Sequence, residues 1–364
     1  MQALKISCGI KTKVKFVSAG NFIRRSACIL FAGCILHSDA ILATSSEPAP
    51  TGIPASAGLS FVRAFSSAAD VSRSHPVLGR TLDIIAGHKD PEPRVDALQL
   101  PSAVVTDSNH RVFIADPGAD VVHIFDFVHS KYALLDKASD RPGSPVSLAV
   151  DGHDNLYVVD RSRKTVIIYD SSGKYLGRFW KQREESYFES PAGIAIDKTT
   201  GLAFVCDKQR HMVIIMDNRG RVMSKIGKRG GGNQPGEFRF PTQVVVSGGE
   251  VFVLDAGNMR IQVLNIEGHF LRAINLPNVD NRTGLAADDH GNIYVSDPDL
   301  SQIQIFSRDG RRLSTFDPAT SKGEKFSHPS AMWVDAGDCL YVVDSQNKRA
   351  GLFQISGQNV RQCQ

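Results

Sequence analysis

The chain has 364 residues, of which 42% are hydrophobic and 22% are charged, as in ordinary soluble globular proteins. This composition excludes collagen-like and intrinsically disordered proteins, and the length suffices for a core without disulfide or metal support. The formal net charge is +4, but residues 1–40 hold six basic residues and one acidic residue, so the remainder is close to neutral. We therefore expect no nucleic-acid partner, because general attraction to a polyanion needs an excess of positive charge.

The first 40 residues have the pattern of an export signal. A positively charged stretch is followed at 27–36 by an apolar run of ten residues. Such a run is too short to span a bilayer as a helix and suits the core of a signal peptide. Small residues permit cleavage after Ala40 or Ala43, and the Pro-, Ser- and Ala-rich segment 41–57 is then a flexible linker. We predict an exported protein of the periplasm or the extracellular space.

A second interpretation of the leader concerns Cys34. The segment Phe31-Ala32-Gly33-Cys34 resembles a bacterial lipobox, in which the cysteine becomes the lipidated amino terminus. Lipidation at Cys34, plain cleavage and an uncleaved anchor are all compatible with the sequence. In each case we expect contact with a membrane only through the leader or a lipid anchor, because no other apolar run exceeds the length of a strand.

An internal repeat organises the rest of the chain. Six segments share the pattern of an apolar residue, an aromatic or apolar residue, an apolar residue, any residue and Asp. They are Val112–Asp116, Leu156–Asp160, Ala203–Asp207, Val251–Asp255, Ile293–Asp297 and Leu340–Asp344. Their aspartates are 44, 47, 48, 42 and 47 residues apart, a period that fits four short strands with their turns.

The surroundings of each aspartate repeat as well. A large apolar residue follows every Asp by nine positions, and a Pro-small-apolar strand precedes most of the repeats. Each unit therefore predicts a four-stranded antiparallel sheet, and radial stacking of six such sheets buries the faces that one sheet alone would expose. We predict an all-β fold, a six-bladed β-propeller. The recurring aspartates are predicted to be structural, each accepting backbone N–H groups of the next turn.

These units resemble NHL repeats, and the whole resembles the six-bladed NHL propellers that bacteria export. The resemblance covers about residues 58–355. It implies that ligands meet the face formed by the loops between strands four and one and between strands two and three. It does not imply one activity, because the same fold carries many functions.

The last repeat has only three strands, so a fourth must come from elsewhere to protect the sheet edge. Residues 58–65 match the fourth strands of the other repeats, and we predict that Leu59–Phe65 closes the ring against Gly351–Ile355. The runner-up is Leu82–Ala86, within a segment that more closely resembles a short helix or a bridging loop. Residues 356–364 are then a C-terminal tail.

Three cysteines lie outside the leader. Cys339 falls in a turn on the face from which the tail with Cys363 leaves, so a disulfide between them is geometrically possible in an oxidising compartment. A free thiol on a loose tail is the open alternative. Cys206 lies within a second strand and is expected to be a buried apolar residue.

The resemblance also raises two enzymatic interpretations. Lactonase-like propellers gather Glu, Asn and Asp around a calcium ion near the axis, and the equivalent positions here carry no such ring. Amidating lyases with NHL repeats hold zinc through histidines on several blades; His211 matches one position, but the others lack histidine. We expect no catalytic residue, metal or cofactor. A hydrolase or lyase with a divergent metal site is the alternative.

What remains is a group of basic residues in the loops of the predicted binding face. The candidates are Arg161, Arg163, Lys208, Arg210, Arg260, Arg282 and Lys348. Acidic residues in the same loops offset part of this charge. We predict a non-enzymatic binding or scaffold module whose loop face contacts a protein, an anionic glycan or a lipid headgroup.

Overall fold

The computed structural model describes residues 58–71, 96–135, 141–178, 187–280, 282–317, 325–356 and 363. The predicted leader, the linker at 41–57 and the runner-up strand Leu82–Ala86 lie outside these residues. Among the described residues, 24 strands form six separate four-stranded antiparallel sheets, and each sheet is one blade of a propeller. This confirms the predicted fold class.

The first three blades follow each other along the chain. Blade one contains β2 (Ala103–Thr106), β3 (Val112–Asp116), β4 (Val121–Asp126) and β5 (Lys131–Leu134). Blade two contains β6 (Pro145–Val150), β7 (Leu156–Asp160), β8 (Thr165–Tyr169) and β9 (Tyr175–Arg178). Blade three contains β10 (Pro191–Ile196), β11 (Ala203–Asp207), β12 (Met212–Met216) and β13 (Val222–Gly227).

The remaining blades complete the ring. Blade four contains β14 (Pro241–Ser247), β15 (Glu250–Asp255), β16 (Arg260–Asn265) and β17 (Phe270–Asn275). Blade five contains β18 (Leu285–Ala287), β19 (Ile293–Asp297), β20 (Gln302–Phe306) and β21 (Arg312–Phe316). Blade six contains β22 (Pro329–Val334), β23 (Cys339–Asp344) and β24 (Arg349–Ile355), and its fourth strand is β1 (Leu59–Phe65).

The N-terminal strand closes the ring against the strand that the sequence predicted as its partner. β1 pairs antiparallel with β24 from Leu59 opposite Ile355 to Phe65 opposite Ala350, with an irregularity between Phe61 and Arg63. Within each blade the strands run from one to four outward from the axis. The closing strand therefore protects an outer edge that the C-terminal repeat alone would leave unpaired.

The hydrophobic core is divided among the contacts between blades. Six apolar clusters occur, and each draws its residues from two neighbouring blades. In one of them Tyr294 of blade five packs with Leu340 and Phe353 of blade six. Second strands are buried along their whole length, whereas the fourth strands β9 and β13 contain only partly buried and exposed residues. Stacking thus buries the sheet faces that a lone blade would expose to water.

Small residues in the first strands permit close packing around the axis. A side chain at Gly193 would place its Cβ 2.8 Å from the carbonyl oxygen of Thr242 in the next blade. The same atom at Gly284 would lie 3.0 Å from Cα of Ala331. Apart from strands, the described residues include two short 3₁₀ turns, Ala68–Asp70 and Ala256–Asn258. None of their helices is long and apolar enough to cross a membrane.

Candidate functional site

The site is built on the aspartates that end each second strand. Asp116, Asp160, Asp207, Asp255 and Asp344 are fully buried, and Asp297 is 2% exposed. Asp160 accepts backbone N–H groups from Gly143 at 2.8 Å and from Arg163 at 3.1 Å. It therefore joins the loop before strand one to the turn after strand two. The sequence predicted only the contact with the following turn; the structure adds the preceding loop.

The same arrangement recurs in neighbouring blades. Asp207 accepts the N–H groups of Glu189 and Ser190 at 2.9 and 3.0 Å. Burial acts to raise the pKa of Asp160, but hydrogen bonds from Gly143, Ser162 and Arg163 outweigh it and hold the pKa below its ordinary value. In blade six the balance is reversed, and burial raises the pKa of Asp344.

Three of the seven predicted basic residues bind these aspartates: Arg163, Arg210 and Arg260. Arg163 lies 2.7 Å from Asp160, and Arg260 lies 2.9 Å from Asp255. Arg260 also donates to the carbonyl oxygens of Asn233 and Glu237 in the loop before its blade. These guanidinium groups hold the loops against the ladder of aspartates, and their charge is offset inside the protein.

Arg210 has the same role with looser geometry. Its Nε lies 3.6 Å from Asp207 and 3.8 Å from Glu189, and its guanidinium also donates to the carbonyl of Tyr187. Arg349, which was not among the binding candidates, lies 3.0 Å from Asp344. Sequence reasoning missed this structural role, although a signal exists. The arginines stand three or five positions after the aspartate that each one binds.

Arg282 is neutralised at the surface. It lies 2.6 Å from Asp280 and 2.8 Å from Asp299, and it contacts Nε2 of His328 at 2.9 Å. Hydrogen bonds to Asp280 and Asp299 raise the pKa of its guanidinium. Arg282 therefore contributes little net positive charge to the loop face.

Arg161 and Lys208 differ from these arginines in position. Each directly follows a ladder aspartate, as Ser345 does in blade six. The Ser345 hydroxyl donates to the carbonyl of Pro101 in the next blade at 2.8 Å, which places this position at the axial end of the loop face. Desolvation lowers the pKa of Arg161, and desolvation followed by the charge of Arg161 lowers the pKa of Lys208. In the described part of the chain neither forms an ion pair with a carboxylate.

Lys348 is the third candidate whose charge is not paired with a carboxylate among the described residues. It is exposed in the turn before β24, with a left-handed backbone (φ 51°), and it makes no ion pair within the described ranges. It lies before a third strand and therefore farther from the axis than Arg161 and Lys208. The structure thus separates the seven candidates into four with partners and three with uncompensated charge.

Exposed apolar side chains share the loop face. Phe240 is 38% exposed and Met259 is 56% exposed, both in blade four, and Leu300 in blade five is 57% exposed. Phe240 adopts a left-handed backbone (φ 52°) directly before Pro241, an uncommon conformation for a bulky residue. Its N–H donates to Nδ1 of His211 at 3.0 Å, and the two rings pack with centroids 4.5 Å apart. His211 therefore holds a loop, and among the described residues no three His, Cys, Asp or Glu side chains are grouped to bind a metal.

The opposite face of the ring is formed by the turns between strands one and two and between strands three and four, and we call it the turn face. It has its own buried aspartates. Asp288 accepts N–H groups of Asn292 and the hydroxyl of Tyr294 at 3.1 Å. Asp151 and Asp335 make the equivalent contacts with tyrosines of their blades. Burial raises the pKa of Asp335.

A disulfide fastens the tail on the turn face. Cys339 and Cys363 are joined, with Cα atoms 5.8 Å apart, so the structure contains the pairing that the sequence left open. The N–H of Cys363 donates to the side chain of Gln354 in β24. Cys206 is a buried free thiol, and burial raises its pKa.

Comparisons with known proteins agree with this architecture. A family model described as a six-bladed β-propeller matches residues 193–294. The Brain tumor protein of Drosophila melanogaster is 26% identical over 135 residues, which are 36% of this chain and 13% of that protein. The chain therefore spans a small part of that relative's length.

Solved structures extend the likeness across the ring. A Bacteroides thetaiotaomicron protein of unknown function aligns with a TM-score of 0.57 and 15% identity, over 74% of this chain and 73% of that one. A streptogramin B lyase aligns with a TM-score of 0.52 and 10% identity, over 71% of this chain and 94% of that one. At these identities the likeness concerns the fold alone. The chain is a six-bladed β-propeller whose repeats resemble the NHL type.

Proposed function

We propose that this protein is an exported, non-enzymatic binding module that captures an acidic segment of a partner protein at the axial end of its loop face. One observation carries the proposal: Arg161 and Lys208, on adjacent blades, bring two uncompensated positive charges together. Desolvation lowers the pKa of both groups, and the charge of Arg161 lowers the pKa of Lys208 further, so the two positive charges are disfavoured. An anionic group placed between them relieves that cost.

The apolar side chains of the same face favour a protein over a glycan or a lipid headgroup. Phe240, Met259 and Leu300 expose 38–57% of their surface on the two blades that follow the Lys208 blade. A peptide can supply apolar side chains next to its carboxylates, whereas a glycan or a headgroup supplies little apolar surface. Protein interfaces are enriched in aromatic residues and methionine.

Export is supported by two features of the chain. The leader has the composition of a signal peptide, and Cys339 pairs with Cys363, which is typical of an oxidising compartment. Intact-mass measurement of the protein from its membrane and soluble fractions tests this proposal. A lipid adduct that disappears in Cys34→Ser supports lipidation, cleavage after Ala40 or Ala43 supports simple secretion, and an unprocessed cytoplasmic protein contradicts export.

A binding titration tests the loop face directly. The probe is a fluorescent peptide that alternates Glu with Leu, measured by anisotropy against the wild type and the double variant Arg161→Glu and Lys208→Glu. We expect at least about a tenfold loss of affinity in the double variant, and weaker binding by the wild type as salt rises. Lys348→Glu is the matched control, because it makes the same charge change on the same face away from the axis.

Two results would count against the proposal. Equal affinity of the wild type and the double variant would remove the axial pair from binding. Turnover of a lactone or ester panel by protein that carries stoichiometric zinc or calcium would favour the alternative, a hydrolase or lyase with a divergent metal site.

A further inference from the structure

The first strands of the six blades enclose an axial cavity of about 410 Å³ on the turn face. Its volume lies in the range of about 300–1,000 Å³ that is typical of small-molecule sites. Because the cavity lies opposite the loop face, a ligand bound in it is independent of the function proposed for Arg161 and Lys208.

Apolar side chains form part of the accessible wall of this cavity, alongside polar groups. Ile196, Val245, Val246, Ala287 and Trp333 line it and are half-buried. The indole N–H of Trp333 donates to the hydroxyl of Thr106 at 2.9 Å, so the ring is held in place.

The buried hydroxyl groups of the wall are engaged within the protein. Ser147 accepts the N–H of Ile194 at 3.2 Å, and Ser247 donates to the carbonyl of Asp288 at 2.5 Å. A ligand with an apolar body would gain contact with the apolar part of this wall.

The rim of the cavity is negative. Asp197, Asp289 and Asp335 line it together with a single ammonium group, Lys198. Asp197 and Asp335 accept hydrogen bonds from their own turns. Asp289 is exposed and makes no hydrogen bond or ion pair within the described ranges.

The neighbouring carboxylates add to this field. Burial raises the pKa of Asp338, and the charges of Asp288, Asp289 and Asp335 raise it further, against the opposing effect of His290. A positive charge at the rim would interact favourably with several carboxylates at once.

We propose that the axial cavity binds a small organic cation with an apolar body, such as a primary amine on an alkyl or aryl chain. The ammonium group lies at the rim near Asp289, and the apolar body enters between the first strands against Trp333. The side chain of Gln243, which also lines the cavity, offers one amide for a polar atom of the ligand.

Trp333 provides the readout. The chain has two tryptophans, so Trp180→Phe leaves Trp333 as the one fluorescent indole. Hexylamine, hexanol and hexanoate are titrated against this variant, with titration calorimetry as a second measurement. We expect hexylamine to bind and to alter Trp333 emission, hexanol to bind at least about twofold more weakly, and hexanoate to bind least.

Two substitutions test whether the charge of Asp289 contributes to the binding of hexylamine. Asp289→Asn should weaken hexylamine binding about two- to fivefold without affecting hexanol. Asp120→Asn is the matched control, because Asp120 is an exposed aspartate on the loop face, and it should change neither affinity. Three results would overturn the proposal. Hexylamine and hexanol could bind equally, or the two substitutions could have an equal effect. The third is the absence of both heat and fluorescence change at about 10 mM amine.

A substitution that fills the cavity tests whether the amine binds inside it. Ala287→Leu adds three carbons to the wall and should weaken hexylamine and hexanol alike; Val245→Leu replaces it if that variant does not fold. Unchanged affinities in the folded filling variant would place the amine outside the cavity and contradict the proposal.

Discussion

At the scale of single residues, the ladder of aspartates explains the repeat and the positions of three of the seven predicted basic residues. The sequence predicted the structural role of the aspartates because the same residue recurred six times next to a strand. It did not predict the arginine contacts, because charged residues in loops are usually solvated and their partners depend on the fold. The sequence therefore predicts Arg163 and Arg260 as ligand-binding residues, whereas each lies within 3 Å of a buried carboxylate.

Asp160 gives a test of the ladder through pH. Asp160→Asn should lower the free energy of unfolding at pH 7 by about 3 kcal/mol, because it leaves Arg163 and the loop N–H groups without a carboxylate. The folded-state pKa of Asp160 lies below its ordinary value of 3.8. Its stabilisation is therefore complete above the unfolded pKa and is lost as the pH falls through the folded pKa.

Urea unfolding at a series of pH values measures this effect. The difference between the wild type and Asp160→Asn should shrink below about pH 5. Asp120→Asn, on an exposed aspartate of the same face, should show little difference at any pH. A difference that stays constant or grows on acidification would contradict the role of Asp160.

At the scale of elements, the strand order could be predicted because each blade repeats the same hydrophobic pattern. The closing strand Leu59–Phe65 was recognisable for the same reason, since it matches the fourth strands elsewhere. The pairing of Cys339 with Cys363 could not be decided, because the tail carries no repeat that fixes its path. Blade five departs from the others, with a first strand of only three residues where Arg282 replaces the usual proline.

The disulfide should stabilise the closing blade. Cys363→Ser releases the tail from Cys339, the first residue of β23. Opening a covalent link over a separation of 24 residues should lower the free energy of unfolding by about 3 kcal/mol. Urea unfolding in oxidising buffer measures the loss. A reducing agent should lower the stability of the wild type by a similar amount and leave the variant unchanged, because Cys339 has lost its partner there and Cys206 is a buried free thiol. Equal stability of the oxidised wild type and Cys363→Ser would contradict this.

At the scale of the whole molecule, the two faces of the ring differ in charge. The loop face carries the positive pair Arg161 and Lys208 at its axial end, and the turn face carries a negative rim around the axial cavity. The sequence located the basic loops but could not predict the cavity, whose size depends on how closely six first strands approach the axis. The proposed function depends on a division of the basic residues into those that hold the ring and those left for a partner.

The most direct test of this division is the equilibrium unfolding of two matched variants in urea at pH 7. Arg260→Gln removes a guanidinium that binds a buried aspartate and two loop carbonyls, so we predict a loss of about 3 kcal/mol. Arg161→Gln removes a guanidinium without a carboxylate partner in the described part of the chain, so we predict a change within about 0.5 kcal/mol or a slight gain in stability. Equal losses in the two variants, or a larger loss for Arg161→Gln, would contradict the division.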